Sequence, residues 1–466
     1  MINNRLLASV LLLSTWCGAQ ETSFDRAIHS GVWVSASQQS VSATPMPTPP
    51  QASTGRVASA TSLSLSRKDA EALALKNNPA ISVARLNALA SQQVVREVRS
   101  NLWPVANANL TAVDSHDDSR IAAGGLNNPI IFERAAAGAT VSQLITDFGR
   151  TTNLVASARL QSKAEDQNAI ATKEQVLLAV DRSFYNALQG QAVLKVAEQT
   201  VSSRQLLADQ VSALARSKLK SDLDVSFAKV NLAQAKLLQL DAENNAQAAM
   251  AALSAILGFP GLERMELIED TEPLSSPAAS PDDLIAEAIS KRPEILAAQF
   301  ETESEHKLQN AERDELFPTI SALGTIGDVP AGDSRLPNWY GAVGVNVQIP
   351  IFNGFLFTAR AREADLRTQA ARQRLLDLRN RISRDVRTAW LNASSTYQRL
   401  AVSAQLLDQS NRALDLAQTR YKLGLGSIVE LSQAQLQQTQ AEIGNAQAGY
   451  DYRLALAILR YQAGGL

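Results

Sequence analysis

The sequence predicts a mainly α-helical fold with a small β part, laid out as two helix–β-hairpin–helix repeats. Three observations predict it. Pro79 in NNPAI and Pro293 in KRPEI lie 214 residues apart, and so do Pro104 in NLWP and Pro318 in ELFP. Alanine recurs every seven residues at Ala228, Ala235, Ala242 and Ala249, and a shift of 206 lands on Ala434, Ala441, Ala448 and Ala455. A seven-residue period of small side chains lets helices approach closely and supercoil left-handed. Finally, Val343, Val345, Val347 and Ile349 alternate with Gly344, Asn346 and Gln348, the period of a strand with one apolar and one polar face.

The elements follow in order. A first helix runs from Arg67 to Asn101, and its counterpart from Pro281 to Glu315, each ended by an X-Pro step. Strand-like stretches then flank a polar loop: VANANLTAV and AAAGATVSQLI around Asp114–Arg134, TISALGTI and YGAVGVNVQIPI around Asp328–Asn338. Long helices come next, Gly149 to Arg216 and Gly354 to Lys422. At 1.5 Å per residue each would be roughly 100 Å long, far beyond what a compact domain needs. Their heptads match as well, Val180, Ala187, Leu194 and Val201 against Val386, Ala393, Leu400 and Leu407. Return helices run from Asp222 to Leu257 and from Ile428 to Gln462. The domain reading is therefore a signal over 1–19, a flexible Ser/Thr/Pro-rich segment over 20–62, a first repeat over 63–260, a linker over 261–280 and a second repeat over 281–466.

The first residues carry Arg5, an apolar run from Leu6 to Leu13 and then small residues, the pattern of an export signal cut after Ala19. The alternative is lipidation of Cys17, although Trp16 and Ser14 stand where a lipoprotein signal carries a small residue and a leucine. Once the signal is removed the chain holds no cysteine, which excludes disulfides and thiolate chemistry. No later apolar run is long enough for a membrane-spanning helix, so an exported chain of this kind is soluble or forms a β-barrel. A net charge of −2 gives no footing for nucleic acid as a partner. Asp147-Phe148-Gly149 lacks every accompanying kinase motif, and the 3 histidines show no metal spacing. No catalytic constellation is visible, and neither cofactor nor metal is expected.

Each strand has the length that crosses an outer membrane at a tilt. Trp103, Phe148, Phe317, Trp339 and Phe352 flank the strands in both halves, as interfacial aromatics do. Four strands cannot close a barrel, and lipid does not tolerate open sheet edges, so several chains would have to share one. Nine arginines between Arg360 and Arg387 read either as a salt-bridged helix face or as a basic collar beneath lipid headgroups.

Between the long second helix and its return lies RYKLGLGSIVELSQAQ, where Gly424, Gly426 and Ser427 interrupt the helix. Glycine suits the positive φ after a helix C-terminus, and Ser427 with Glu430 three residues on predicts a capping box. The first-half tip, SALARSKLKSDLDVSFA, lacks these glycines, so its turn is expected to be either wider or docked differently.

The ordered set of an export signal, SLSRKDAEALALKNNPAI, the duplicated body and the RYxxG break resembles the TolC family of outer-membrane efflux factors over 61–466. The resemblance implies a homotrimer with a shared twelve-stranded barrel in outer-membrane lipid. It implies a helical tunnel in the periplasm that meets a periplasmic adaptor and an inner-membrane pump or secretion ATPase. It also implies that Tyr421 hydrogen-bonds Asp224 of a neighbouring hairpin to help hold the periplasmic mouth closed, that Glu430 and Gln433 line the aperture, and that Ser217, Leu219, Ser221, Gly424, Gly426 and Ser427 form the adaptor-docking tips. The family's second mouth constraint uses an Arg where this chain has Gly426. The reading is an exit duct, not an enzyme; the alternative is a soluble periplasmic coiled-coil adaptor or scaffold.

Overall fold

The structure, a computed structural model, describes residues 63–113, 120–123, 126–130, 134–259, 265–269, 273–277, 280–331 and 337–465. The expected signal over 1–19 with Cys17, the segment over 20–62 and parts of the linker and hairpin loops lie outside the described residues. Strand β1 (Leu63–Leu65) leads into helices α1 (Arg67–Asn77) and α2 (Pro79–Ser100). Strands β2 (Val105–Val113), β3 (Arg120–Ala123), β4 (Leu126–Ile130) and β5 (Arg134–Thr146) precede α3 (Arg150–Arg216) and α4 (Asp222–Ile256). After β6 (Met265–Leu267) the order recurs as α5 (Pro281–Lys291), α6 (Pro293–Asp314), β7 (Thr319–Ala331), β8 (Trp339–Gln348), α7 (Leu356–Lys422) and α8 (Ile428–Ala463).

The first helix of each half is not continuous, contrary to the expectation. Asn78 and Arg292 adopt extended backbone, with ψ of 122° and 127°, because each precedes a proline that disfavours the helical region. The proline then opens the next helix, where a missing N–H costs nothing. Asn78 caps α2 through its side chain on the Ala80 amide. The polar loop of the first half contains the β3–β4 pair, and β7 runs four residues into what was read as the second loop.

Both long helices have 67 residues and start after left-handed residues, Gly149 with φ 110° and Phe355 with φ 68°. Their heptads are buried as the spacing predicts: Val180, Ala187, Val386 and Ala393 are inaccessible, and Ala228, Ala235 and Ala242 face α3. At Gly190 α3 and α4 come to backbone contact, since a Cβ there would lie 3.1 Å from the Ala246 Cα. One core gathers Leu65, Val180, Phe184 and Leu253 with the parallel β1–β6 pair, which sequence pattern did not reveal in three-residue strands. Fully burying a side chain such as Phe184 contributes about 2–3 kcal/mol.

The main sheet has the order β2-β5-β7-β8, antiparallel throughout, so the two hairpins join through β5 and β7. Directly paired residues share a face. Ala108, Ala139, Ile326 and, further along, Val141, Gly324 and Val343 fall on one side; Asn107, Thr140 and Thr325, then Ser321 and Asn346, fall on the other. The sheet thus has one mostly apolar face, which also carries Asp328 at its far end, and one mostly polar face. Leu110 at 87% and Val343 at 92% exposed show that nothing among the described residues covers the apolar side. Tyr340 lies flat over the polar side: a Cβ on Gly138 or Gly327 would come within 2.5 Å of its phenol.

Candidate functional site

The two helical hairpins end together. The turn from α3 to α4 is Ser217–Ser221 and the turn from α7 to α8 is Leu423–Ser427, so they are equal in length. The first turn is no wider than the second despite its lack of glycine, so of the two expectations only a different docking is left. Lys218 takes the left-handed conformation, φ 57°, that Gly424 takes at φ 75° in the second turn. Ser221 and Asp224 make a complete capping box. Ser427 accepts from the Glu430 amide at 3.1 Å, but the reciprocal half of that box is missing: the Glu430 carboxylate turns to Arg420 Nε, 3.1 Å away. Gly426 makes this pairing possible, since a Cβ there would lie 3.2 Å from both Arg420 Cβ and Glu430 Oε2. Arg420 also donates to the Leu425 carbonyl at 3.2 Å, within its own tip.

Tyr421 joins the hairpins. It is buried with Val211 of α3, Ala228 of α4, and Ile428 and Leu431 of α8, so with its own α7 all four long and return helices meet there. Lys220, on the first turn, places its ammonium 3.8 Å from the Tyr421 ring centre and donates to the Tyr421 carbonyl at 3.4 Å. Asp224 is close enough to act on the phenol, which burial first and the Asp224 charge second push up to about 12. No hydrogen bond of acceptable geometry joins them. The Tyr421 hydroxyl has no partner, and Asp224 Oδ2 is taken by the Ser221 amide and hydroxyl at 3.0 and 2.8 Å. Within this chain the capping box thus competes with the phenol for Asp224, whose side chain still contributes to the raised Tyr421 pKa. Lys220 makes the contact that sequence reasoning missed; its only signal was a basic residue directly before the cap serine.

Glu430 and Gln433 are exposed on the first turns of α8, and Ser217, Ser221 and Ser427 are exposed at the tips. Leu219, Leu223, Leu423 and Leu425 are each about two-thirds exposed there, an apolar patch at the end of a polar rod.

At the other end Trp103, Phe148, Phe317 and Phe352 gather where β2 and β7 begin and β5 and β8 end, and Trp339 stands at the opposite edge of the sheet. Phe148 and Phe317 are 5.8 Å apart between ring centres. The arginines of α7 are mostly paired within the chain, Arg360 with Glu315, Arg362 with Asp365, Arg367 with Glu363, Arg381 with Asp377 and Arg387 with Asp282. These pairs fit the reading of a salt-bridged helix face. Among the described residues no helix is long and apolar enough to cross a membrane, and no group of acidic or histidine side chains could hold a metal.

The family model described as "Outer membrane efflux protein" matches residues 72–259 and 284–465. The chain belongs to this outer membrane efflux protein family. It is 26% identical over 412 residues to the outer membrane protein OprJ of Pseudomonas aeruginosa, covering 84% of this chain and 82% of that one. It is 24% identical over 332 residues to the outer membrane efflux protein BepC of Brucella suis, covering 68% and 69%. In fold it is similar to the crystal structure of a membrane protein from Pseudomonas aeruginosa, with TM-score 0.76 and 23% identity over 85% of this chain and 93% of that one.

Proposed function

We propose that the chain is the outer-membrane exit duct of a tripartite efflux or secretion system, a passive homotrimeric channel gated at its helical tips. The observation that carries this is the sheet. Among the described residues it has two unpaired edges, β2 and β8, a mostly apolar face that nothing covers, and a mostly polar face opposite. In lipid such edges have to be closed. With four antiparallel strands, β8 of one copy meets β2 of the next in antiparallel sense, so a head-to-tail ring closes without strain on direction. Three copies give twelve strands, with the apolar face to lipid, the polar face to the lumen and the aromatics at its rims. The helices support the same assembly. Leu223, Val230 and Leu237 repeat every seven residues on α4, and Leu86 and Leu89 stand on α2, all exposed in the single chain.

The tips form the periplasmic mouth. Tyr421, with Lys220 and Asp224 from the other hairpin, holds the two hairpins together; Glu430 and Gln433 face the aperture. The exposed tip leucines, with Ser217, Ser221, Gly424, Gly426 and Ser427, dock a periplasmic adaptor, and an inner-membrane pump or secretion ATPase supplies the energy. A soluble coiled-coil scaffold leaves the bare apolar sheet face without a role. The test is planar-bilayer conductance of the purified protein. A small cation-preferring conductance is expected, with multivalent-cation block weakened in Glu430→Ala. A folded protein that forms no channel refutes the duct.

A further inference from the structure

Arg204 of α3 is 7% exposed, yet it has no carboxylate partner among the described residues. One amino group donates to the Gln435 carbonyl at 2.9 Å and to Thr439 Oγ1 at 3.1 Å, which pins α3 to α8, and the other guanidinium nitrogens are not among the buried atoms that lack a partner, so they stay accessible. Burial alone pulls its pKa down to about 10, with no neighbouring charge opposing. A buried cation without a counter-ion is costly. Gln435 is 4% exposed, and its side-chain oxygen is buried without a hydrogen bond. Both residues line a cavity of about 360 Å³ between α3, α4 and α8. Asn231 and Ser432 bond across it at 2.7 Å, and Leu238, Leu436 and Ile443 form an apolar wall.

We propose that this cavity is a binding site for an amphipathic monocarboxylate, its carboxylate on Arg204 and its hydrocarbon part against Leu238, Leu436 and Ile443. A guanidinium fork matches a carboxylate in shape as well as charge. The volume suits a small organic acid. The lining holds no acidic residue that would compete. A carboxylate could come from a free organic acid or from an acidic side chain of a partner protein, and the chemistry of recognition is the same. The site stands apart from the duct reading, because binding is measured on the protein whether or not it conducts.

The test is saturation-transfer NMR on the protein in lipid nanodiscs with hexanoate, hexan-1-ol and hexylamine as probes. Hexanoate binds and the other two do not; Arg204→Gln weakens hexanoate at least tenfold. A second variant guards against misfolding. Gln435→Glu supplies an internal counter-ion, so it abolishes hexanoate binding and raises the melting temperature. A blocked peptide with one glutamate between leucines separates the sources: competition with hexanoate identifies a protein side chain, and failure to compete identifies a free acid. Equal hexanoate binding in wild type and Arg204→Gln, or a lowered melting temperature in Gln435→Glu, overturns the proposal.

Discussion

Replacing Lys220 by Met removes the one cation that reaches from the first turn to the second hairpin. The ammonium lies 3.8 Å from the Tyr421 ring centre and is half-buried, so its cation–π attraction contributes about 1–2 kcal/mol. The 3.4 Å bond to the Tyr421 carbonyl is long and adds about 0.5 kcal/mol. Met keeps the length and the apolar packing, so the loss is close to the sum, about 2 kcal/mol per chain. That is about 30-fold in the ratio of joined to separated tips. Three copies far enough apart to be additive would lose about 6 kcal/mol in a concerted opening. The assay is the distance between spin labels on Leu219 and Leu425, read beside single-channel open probability. Lys220→Met should broaden the distance distribution and raise open probability, Lys220→Arg should restore both, and Lys229→Met on the exposed side of α4 should do neither. Unchanged distances in Lys220→Met refute the assignment of Lys220 as a link, even if the protein still conducts.

Further outcomes follow from the same structure. Lys218→Gly should stabilise the first turn by about 1 kcal/mol, since a left-handed L-residue costs that much, and hydrogen exchange at the tip should slow; faster exchange would contradict this. Gly190→Leu should destabilise by several kcal/mol because α3 and α4 meet there at backbone distance, seen as a lowered melting temperature; an unchanged melt would mean the helices can part freely. Asp181 is buried, and burial raises its carboxyl well above 3.8; Glu71 adds to this and Arg67 opposes it. A carboxyl with a raised folded pKa favours the folded state only while protonated. Its contribution is therefore lost as pH rises past the ordinary carboxylate range toward the folded value. Wild type should melt lower at pH 8 than at pH 5.5 in this region, and Asp181→Asn should narrow the difference; an equal difference in both would remove Asp181 as the cause.

The helices and the sheet were legible because their patterns are long. Heptads over dozens of residues and strict alternation over ten leave little freedom, and the structure buries Val180 and Val386 as the spacing demands. The misreadings were short-range. Asn78 and Arg292 break helices whose flanking sequence is helical, because proline acts on the residue before it regardless of composition. The β1–β6 pair is three residues long and parallel, too short to show a period. At the tips the positions were legible and the partners were not. Whether Asp224 meets Tyr421 or Ser221, and whether Glu430 meets Ser427 or Arg420, depends on distances that spacing alone does not set. Arg204 was invisible for the same reason: its sequence neighbours do not reveal that no carboxylate faces it.

Helix α7 runs for 67 residues without a glycine or a proline. A rod of that kind has no built-in hinge, since sharp kinks need such residues or a local bulge. It should behave as a rigid lever of roughly 100 Å. A tilt of about 3° at the sheet end would swing the far end by about 5 Å, near the pitch of one helical turn. Small adjustments where the helix leaves the sheet are then large displacements at Tyr421. The chain needs no flexible joint to turn a slight rearrangement at one end into a wide one at the other.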